Sequence, residues 1–289
     1  MLVTRNRPDD LRRCLESVAK QDTPCGLVVL DNASDQPPTL PTNAVLDRSE
    51  HVLGVAAARN RAGARVTTPL LVFLDDDAAF AAGDALRRVL QVFDAEPRVG
   101  AIALNSLAVQ ADGAELEQMR LARGVRYGIA PIPCGQESTL PVAVFVGAGC
   151  AFRVEALRGV GGFREDFQYG GEEFHLSLRL IDQGWELRYL PGVKVFHYHS
   201  GVWRLDASVR LPSQLRNKWA MAAEILPRRH IPGALGPFTL HMLAEMRRNG
   251  VAWAGPLRWA CRSFLAEWRH RRPLSLATVR TAARLRGRL

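Results

Sequence analysis

The chain opens with a short apolar stretch, Met1-Leu2-Val3-Thr4, and turns polar through Asn6-Arg7-Pro8-Asp9. Leu11, Cys14, Leu15 and Val18 then recur at three- and four-residue spacing. That is one apolar stripe of an amphipathic helix, with Asp9 or Asp10 available as its N-cap. Leu27–Leu30 is a short apolar run ending at Asp31-Asn32, a strand leading into a polar loop. Residues 54–66 are alanine-rich and helix-compatible. Leu70–Leu74 is apolar throughout, the pattern of a strand covered on both faces, and it runs directly into Asp75-Asp76-Asp77. A second amphipathic helix over Asp84–Phe93 and a strand over Gly100–Leu104 follow. Strands alternating with helices predict βαβ units and an α/β fold with a mostly parallel sheet. In such sheets ligands bind at the carboxyl ends of strands, where Asp31 and the Asp triplet lie.

The second half is less regular. The mixed residues 105–140 support no assignment, and Val142–Val146 reads as a strand before a Gly147-Ala148-Gly149 turn. Glu172–Gln183 reads as a helix stopped by Gly184, followed by strands near Trp185–Leu190 and Val193–Phe196. From about residue 213, three or four helical stretches are separated by Pro and Gly, and no internal repeat is present.

Composition changes this picture at one point. The 289 residues, 47% hydrophobic and 23% charged, suit one large α/β domain or a domain with an appendage. The net charge of +9 is unevenly placed: residues 1–200 carry 21 Lys+Arg against 25 Asp+Glu, and residues 201–289 carry 17 against 4. Five of the six tryptophans, Trp203, Trp219, Trp253, Trp259 and Trp268, lie in the second part. We therefore divide the chain into an acidic body, 1–200, and a basic helical appendage, 201–289. A uniformly basic nucleic-acid binder is disfavoured. Five scattered cysteines without a CxxC pair argue against a disulfide framework or structural zinc, and fit a reducing compartment. Arg5 and Arg7 are followed by polar residues, so no signal peptide is expected. The longest apolar stretches, such as Leu140–Phe152, fall short of the roughly 20 residues that span a bilayer. The expectation is a cytoplasmic protein, or one peripheral on the inner face of the membrane.

The sharpest chemical feature is Asp75-Asp76-Asp77. Three adjacent carboxylates repel, and a fold tolerates them at a strand end when a cation or solvent offsets the repulsion. In extended geometry Asp75 and Asp77 share a face, which suits a hard divalent cation completing its shell with a diphosphate. A solvated acidic loop is the plainer alternative. No P-loop or dinucleotide fingerprint is present, so nucleoside-triphosphate hydrolysis and NAD binding are unsupported.

A series of short motifs extends the reading. Val3-Thr4-Arg5-Asn6-Arg7-Pro8, Val29-Leu30-Asp31-Asn32-Ala33-Ser34 and Gly54…Ala58-Arg59-Asn60…Gly63 come first, then Phe73-Leu74-Asp75-Asp76-Asp77. Gly147-Ala148-Gly149…Arg153, Gly161-Gly162-Phe163, Gly170-Gly171-Glu172-Glu173 and Gly184-Trp185…Tyr189-Leu190-Pro191…Phe196-His197 continue the order. Over roughly residues 1–200 the set resembles the family 2 glycosyltransferases, and more loosely rhamnosyltransferases. The resemblance implies a GT-A fold and sugar transfer from a nucleotide-sugar donor. It implies donor contacts for Thr4, Arg7, Asp31, Arg59, Asn60, Asp75 and Asp76, with Asp31 on the base or ribose. It implies Mg²⁺ or Mn²⁺ on Asp77 and His197, and an acceptor side near Gly147, Gly149 and Gly171. Where the family has Glu-Asp, this chain has Glu172-Glu173, so Glu173 matches the catalytic base with Glu172 as the fallback. A single base implies inversion. His175 replaces an acidic residue common in the motif, and no role follows for it. Relatives begin several residues before the first strand, so the true start lies upstream or this edge of the donor pocket is bare.

Acceptors implied are glycans, lipid-linked glycans, glycolipids or small molecules, placing the enzyme in cell-envelope polysaccharide synthesis. In the appendage, Leu257, Cys261, Phe264, Leu265 and Trp268 share a helical face beside Arg258, Arg262, Arg269, Arg271 and Arg272. A basic amphipathic helix of this kind within Trp253–Arg272 suits an anionic membrane surface, reached through residues 213–289, or packing on the body. Nucleic acid lacks any supporting motif. Two other classes remain open: a nucleotidyltransferase acting on a sugar phosphate, and a non-catalytic binding protein on a degenerate transferase body.

Overall fold

In the computed structural model, which describes residues 1–109, 115–117, 138–199 and 206–285, Pro8 opens the first helix. Strand β1 (Leu2–Thr4) leads through Asn6 into α1 (Pro8–Ala19). Proline suits the first helical position, where an N–H would have no partner. It starts the helix ahead of the acids, so neither Asp9 nor Asp10 is the N-cap. Arg7 holds that position without a side-chain cap, and the aspartates sit in the first turn, favourable to the helix dipole. Leu11 and Cys14 bury their stripe against Leu2 and Val29. Strands β1, β2 (Leu27–Asp31) and β3 (Ala44–Arg48) form a parallel sheet in that order. Next come α2 (Val55–Ala64), β4 (Leu70–Leu74), β5 (Ala78–Phe80), α3 (Ala85–Ala95) and β6 (Val99–Val109). The Met1 ammonium donates to the Val72 carbonyl at 2.8 Å, and the Leu74 N–H donates to the Met1 carbonyl at 3.2 Å. These bonds join β1 to the edge of a second sheet.

That second sheet adds β7 (Glu115–Glu117), β8 (Leu140–Pro141), β9 (Gly149–Arg153) and, after α4 (Val154–Gly159) and α5 (Glu172–Asp182), β10 (Glu186–His197). Its order is β4-β9-β6-β10-β5, with β7 on β6 and β8 on β10. The α/β class holds, but the sheet is mixed rather than mostly parallel. Only β6 and β10 pair parallel here, and every other pairing in this sheet is antiparallel. The reason is β9, which lies between β4 and β6 and runs against both. Strands β4 and β6 keep the common direction that a βαβ unit requires, with a later strand inserted between them. Val142–Val146 is not a strand. It is largely buried irregular chain, and the strand begins one turn later at Gly149. The two strands expected after Gly184 are one, with a register shift between Leu190 and Lys194 where Pro191 lacks a ladder donor.

The tail holds α6 (Ala207–Ile225), a 3₁₀ turn (Arg228–His230), α7 (Ile231–Arg248), α8 (Ala254–Trp268) and α9 (Leu276–Leu285). The Asp206 carboxylate caps α6 by accepting from the Ser208 N–H. Ala220, Met221 and Ile225 of α6 share a core with Phe167 and Leu178 of the body and with Leu274 and Ala282. The single apolar face expected in α8 is divided. Phe264 and Trp268 pack on Ala222, Ile231 and Leu235, whereas Leu265 is 64% exposed. Among the described residues, no helix is long and apolar enough to cross a membrane.

Candidate functional site

Strand β4 stops at Leu74, and the chain turns at once: the Ala78 N–H donates to the Asp75 carbonyl at 3.0 Å. Asp75 and Asp77 therefore converge through a tight turn rather than through the pleat of a strand. Antiparallel pairing of β10 with β5 sets His197 opposite Ala78. One side-chain ligand atom each from Asp75, Asp77 and His197 lies within 4.8 Å of the others. His197 Nε2 is 3.1 Å from Asp77 Oδ1. Asp76 points the other way, into the body. Thr4 Oγ1 donates to it at 2.8 Å and Arg7 Nη1 at 3.0 Å, and the same Arg7 nitrogen is 3.6 Å from Asp77. Burial lifts the Asp76 carboxyl to about 6, with Arg7 opposing the rise and the Asp77 charge adding to it.

The Asp turn faces a second acidic pair across one cation. Arg59, on α2 and only 7% exposed, donates from Nη2 to Asp75 Oδ1 at 3.1 Å. Its Nη1 lies 3.5 Å from Glu173 and 4.0 Å from Glu172. Desolvation works against a buried guanidinium, but the acids around it, Asp75 first, more than offset it and raise the Arg59 pKa. Gly147 makes room for this arrangement. A Cβ there would sit 2.3 Å from Arg59 Nη2 and 2.7 Å from Glu173 Oε1. Gly171, in the left-handed region at φ +93°, turns the chain into α5 so that Glu172 and Glu173 occupy its first turn. The two glutamates differ. Glu172 is buried, its Oε2 makes no hydrogen bond, and burial plus the Glu173 charge push its carboxyl up to about 8 against the pull of Arg59. Glu173 is 25% exposed.

Asp31 lies apart, at the end of β2 and fully buried. The Ser34 N–H donates to its Oδ1 at 2.9 Å, while Oδ2, 3.4 Å from Arg48 Nε, accepts no hydrogen bond. Two residues expected at the site are not with the carboxylates. Asn60 exchanges hydrogen bonds with the Phe163 backbone at 2.8 Å each way, tying α2 to the following loop. Gly149 packs its backbone on Val195, 3.0 Å from where its Cβ would stand. Residues beyond the motif series also shape the site. Asn217 on α6 donates to the Tyr169 and Gly170 carbonyls at 3.1 and 2.9 Å, and Arg216 holds Asp166. His175 meets Glu224 of α6 at 3.1 Å, and Glu224 also pairs with Arg164. No local pattern in the sequence marks these contacts, because the partners come from the appendage.

Two carboxylates and a histidine imidazole make a donor set for a divalent cation, and the carboxylates are of the kind that Mg²⁺ and Mn²⁺ take. Oδ2 of Asp31, ion-paired with Arg48 but accepting no hydrogen bond among the described residues, is a buried acceptor with unused capacity. The residues present fit a metal and a nucleotide.

The profile of a family described as glycosyl transferase family group 2 matches residues 70–278, across the charge boundary near residue 200. Pre-mycofactocin glycosyltransferases of two Mycobacterium tuberculosis strains are 34% identical over 150 residues, 52% of this chain. The match spans only 31% of the length of those relatives. Among solved structures, S. aureus TarS 1-349 in complex with UDP-GlcNAc superposes with a TM-score of 0.62 at 16% identity, covering 92% of this chain and 80% of that one. The mannosyltransferase PcManGT from Pyrobaculum calidifontis, in complex with GDP-Man and Mn²⁺, gives 0.55 at 19% identity, covering 98% and 82%. These likenesses show the fold, the GT-A type that the motifs implied.

Proposed function

The chain belongs to glycosyl transferase family group 2, and on that premise we propose that it moves a sugar from a nucleotide-sugar donor to a hydroxyl acceptor with inversion at the anomeric carbon. One observation carries this reading. A cation-ready trio, Asp75, Asp77 and His197, faces a glutamate pair across the buried Arg59, and the deeper of the two, Glu172, has its carboxyl pushed up to about 8.

Each residue then has a task. Asp31, at the end of β2, accepts from the nucleotide's base or ribose, and Asp75 reaches the ribose or the sugar. Asp77 and His197 would hold the Mg²⁺ or Mn²⁺. A divalent ion bound there supplies positive charge against the negative charge of the departing nucleoside diphosphate. Thr4 and Arg7 steady the turn through Asp76 rather than reaching the donor themselves. Glu172 keeps its proton near neutral pH, and Glu173, the more exposed of the two, takes one from the acceptor. As Glu173 accepts the hydroxyl proton, the acceptor oxygen bonds to the anomeric carbon. The bond from that carbon to the diphosphate oxygen breaks, and its electron pair leaves with the diphosphate. A single displacement with no covalent intermediate inverts the centre. The acceptor side lies by Gly147 and Gly171, where Glu173 is exposed. Its hydroxyl belongs to a glycan, a lipid-linked glycan or a small molecule.

Thermal-shift screening against UDP-, GDP- and dTDP-sugars, with and without Mg²⁺ or Mn²⁺, tests the reading. We expect stabilisation by one nucleotide class only when metal is present, lost in Asp77→Ala. A chain that no nucleotide sugar stabilises under either metal would sink the proposal.

A further inference from the structure

The tail carries a second charged site that shares no residue with the first. A groove of about 610 Å³ lies between the turn joining α6 to α7 and the segment entering α9, lined by Pro227, Arg228, Arg229, Arg271, Pro273 and Leu276. Its charge is one-sided. None of the three arginines makes an ion pair among the described residues. The nearest acids are already engaged, because Glu224 and Glu267 both pair with Arg164. Arg271 is held rigidly, donating to the Ala223 and Leu226 carbonyls at 2.5 Å each, the unpaired carbonyls that end α6. It also lies 4.2 Å over the Trp268 ring, with Arg228 5.4 Å from the same ring. Two guanidiniums are thus gathered around one indole. Burial and then the Arg228 charge press the Arg271 pKa down, the opposite of the Arg59 case.

Guanidiniums gathered without a carboxylate suit a phosphate, whose oxygens accept their forked donors. The remaining wall is apolar, formed by the two prolines and by Leu276, which is 42% exposed. A free phosphate would leave that wall unused, whereas a phosphate carried on an alkyl chain would occupy both parts. We propose that this groove binds the phosphate group of an anionic amphiphile, a lipid phosphate at a membrane surface.

Isothermal titration calorimetry on the full chain, with octyl phosphate below its critical micelle concentration, inorganic phosphate and octyl glucoside, tests this. Octyl phosphate is expected to bind saturably and at least about tenfold more tightly than inorganic phosphate, with octyl glucoside silent. The double variant R228A/R229A changes two exposed side chains and should weaken octyl phosphate about tenfold, with an unshifted melting temperature showing that it still folds. Inorganic phosphate binding as tightly as octyl phosphate overturns the lipid assignment and makes this a free-phosphate site. Equal affinity of the double variant and the parent chain, or no saturable binding, overturns the site itself.

Discussion

The two charged sites of this molecule are built on opposite plans. At the end of β4 and the start of α5, five carboxyl groups, Asp75, Asp76, Asp77, Glu172 and Glu173, are interleaved with Arg7, Arg59 and His197. In the tail groove three arginines stand with no carboxylate at all. The first site carries its own counter-charges, so its groups, buried or half-buried, are mutually positioned before any ligand arrives. The second leaves its charge to solvent. Burial separates them: unpaired charge is tolerable at an open surface but costs several kcal/mol in an interior. A preorganised interior serves chemistry, whereas an exposed cationic surface serves attraction. If this contrast is right, small changes in the balance of the first site should have large effects.

The largest expected effect comes from Glu173→Gln. The substitution keeps the shape beside Arg59 but removes proton acceptance. We expect kcat to fall by about 10²- to 10⁴-fold, with the donor dissociation constant changed less than about threefold. Single-turnover assays beside donor titrations read both. Near-normal turnover would move the base elsewhere and undo the role assigned to the glutamate pair. Gly147→Ala comes second. Its added methyl would meet Arg59 Nη2 at 2.3 Å, so Arg59 must shift from Asp75 or from Glu173. A loss of roughly 1–3 kcal/mol in folding stability and about a tenfold loss in kcat are expected from urea melts and steady-state rates. An unchanged variant would show that the Arg59 bridge is dispensable and that the interior site resembles the open one.

Parts of this architecture could be read from residue order and parts could not. The Asp turn, His197, the glutamate pair and the glycine before it lie in dense local motifs, and the fold brings Asp75, Asp77 and His197 within reach of one another. Arg59 was legible as a residue near the donor but not as the bridge, since its partners sit on β4's turn and α5, far along the chain. Gly147 reads locally as a turn residue, and only the folded chain reveals the guanidinium that needs its missing side chain. The mixed sheet was hidden for a similar reason. Period and length predict a strand, but not that β9 inserts between two earlier ones. The tail's apolar stripe was visible, yet its division between Phe264, which packs, and Leu265, which does not, depends on where α6 and α7 lie.

The subtlest test concerns Glu172, where charge balance shows as a proton. In the folded protein its carboxyl holds a proton up to about 8, whereas in the unfolded chain it ionises near the ordinary glutamate value of about 4.3. Between those values the folded state binds more protons than the unfolded one, so this group makes stability fall as pH rises through the window and level off above it. Glu172→Gln removes the titration and leaves Arg59 its contacts with Asp75 and Glu173. The variant should therefore gain on the parent chain between pH 5 and pH 8, by roughly 1–3 kcal/mol in unfolding free energy, measured by urea melts at the two pH values. A parent chain that loses no more stability than the variant over that range would mean that Glu172 is ionised at neutral pH. The assignment of the base would then rest on the exposure of Glu173 alone.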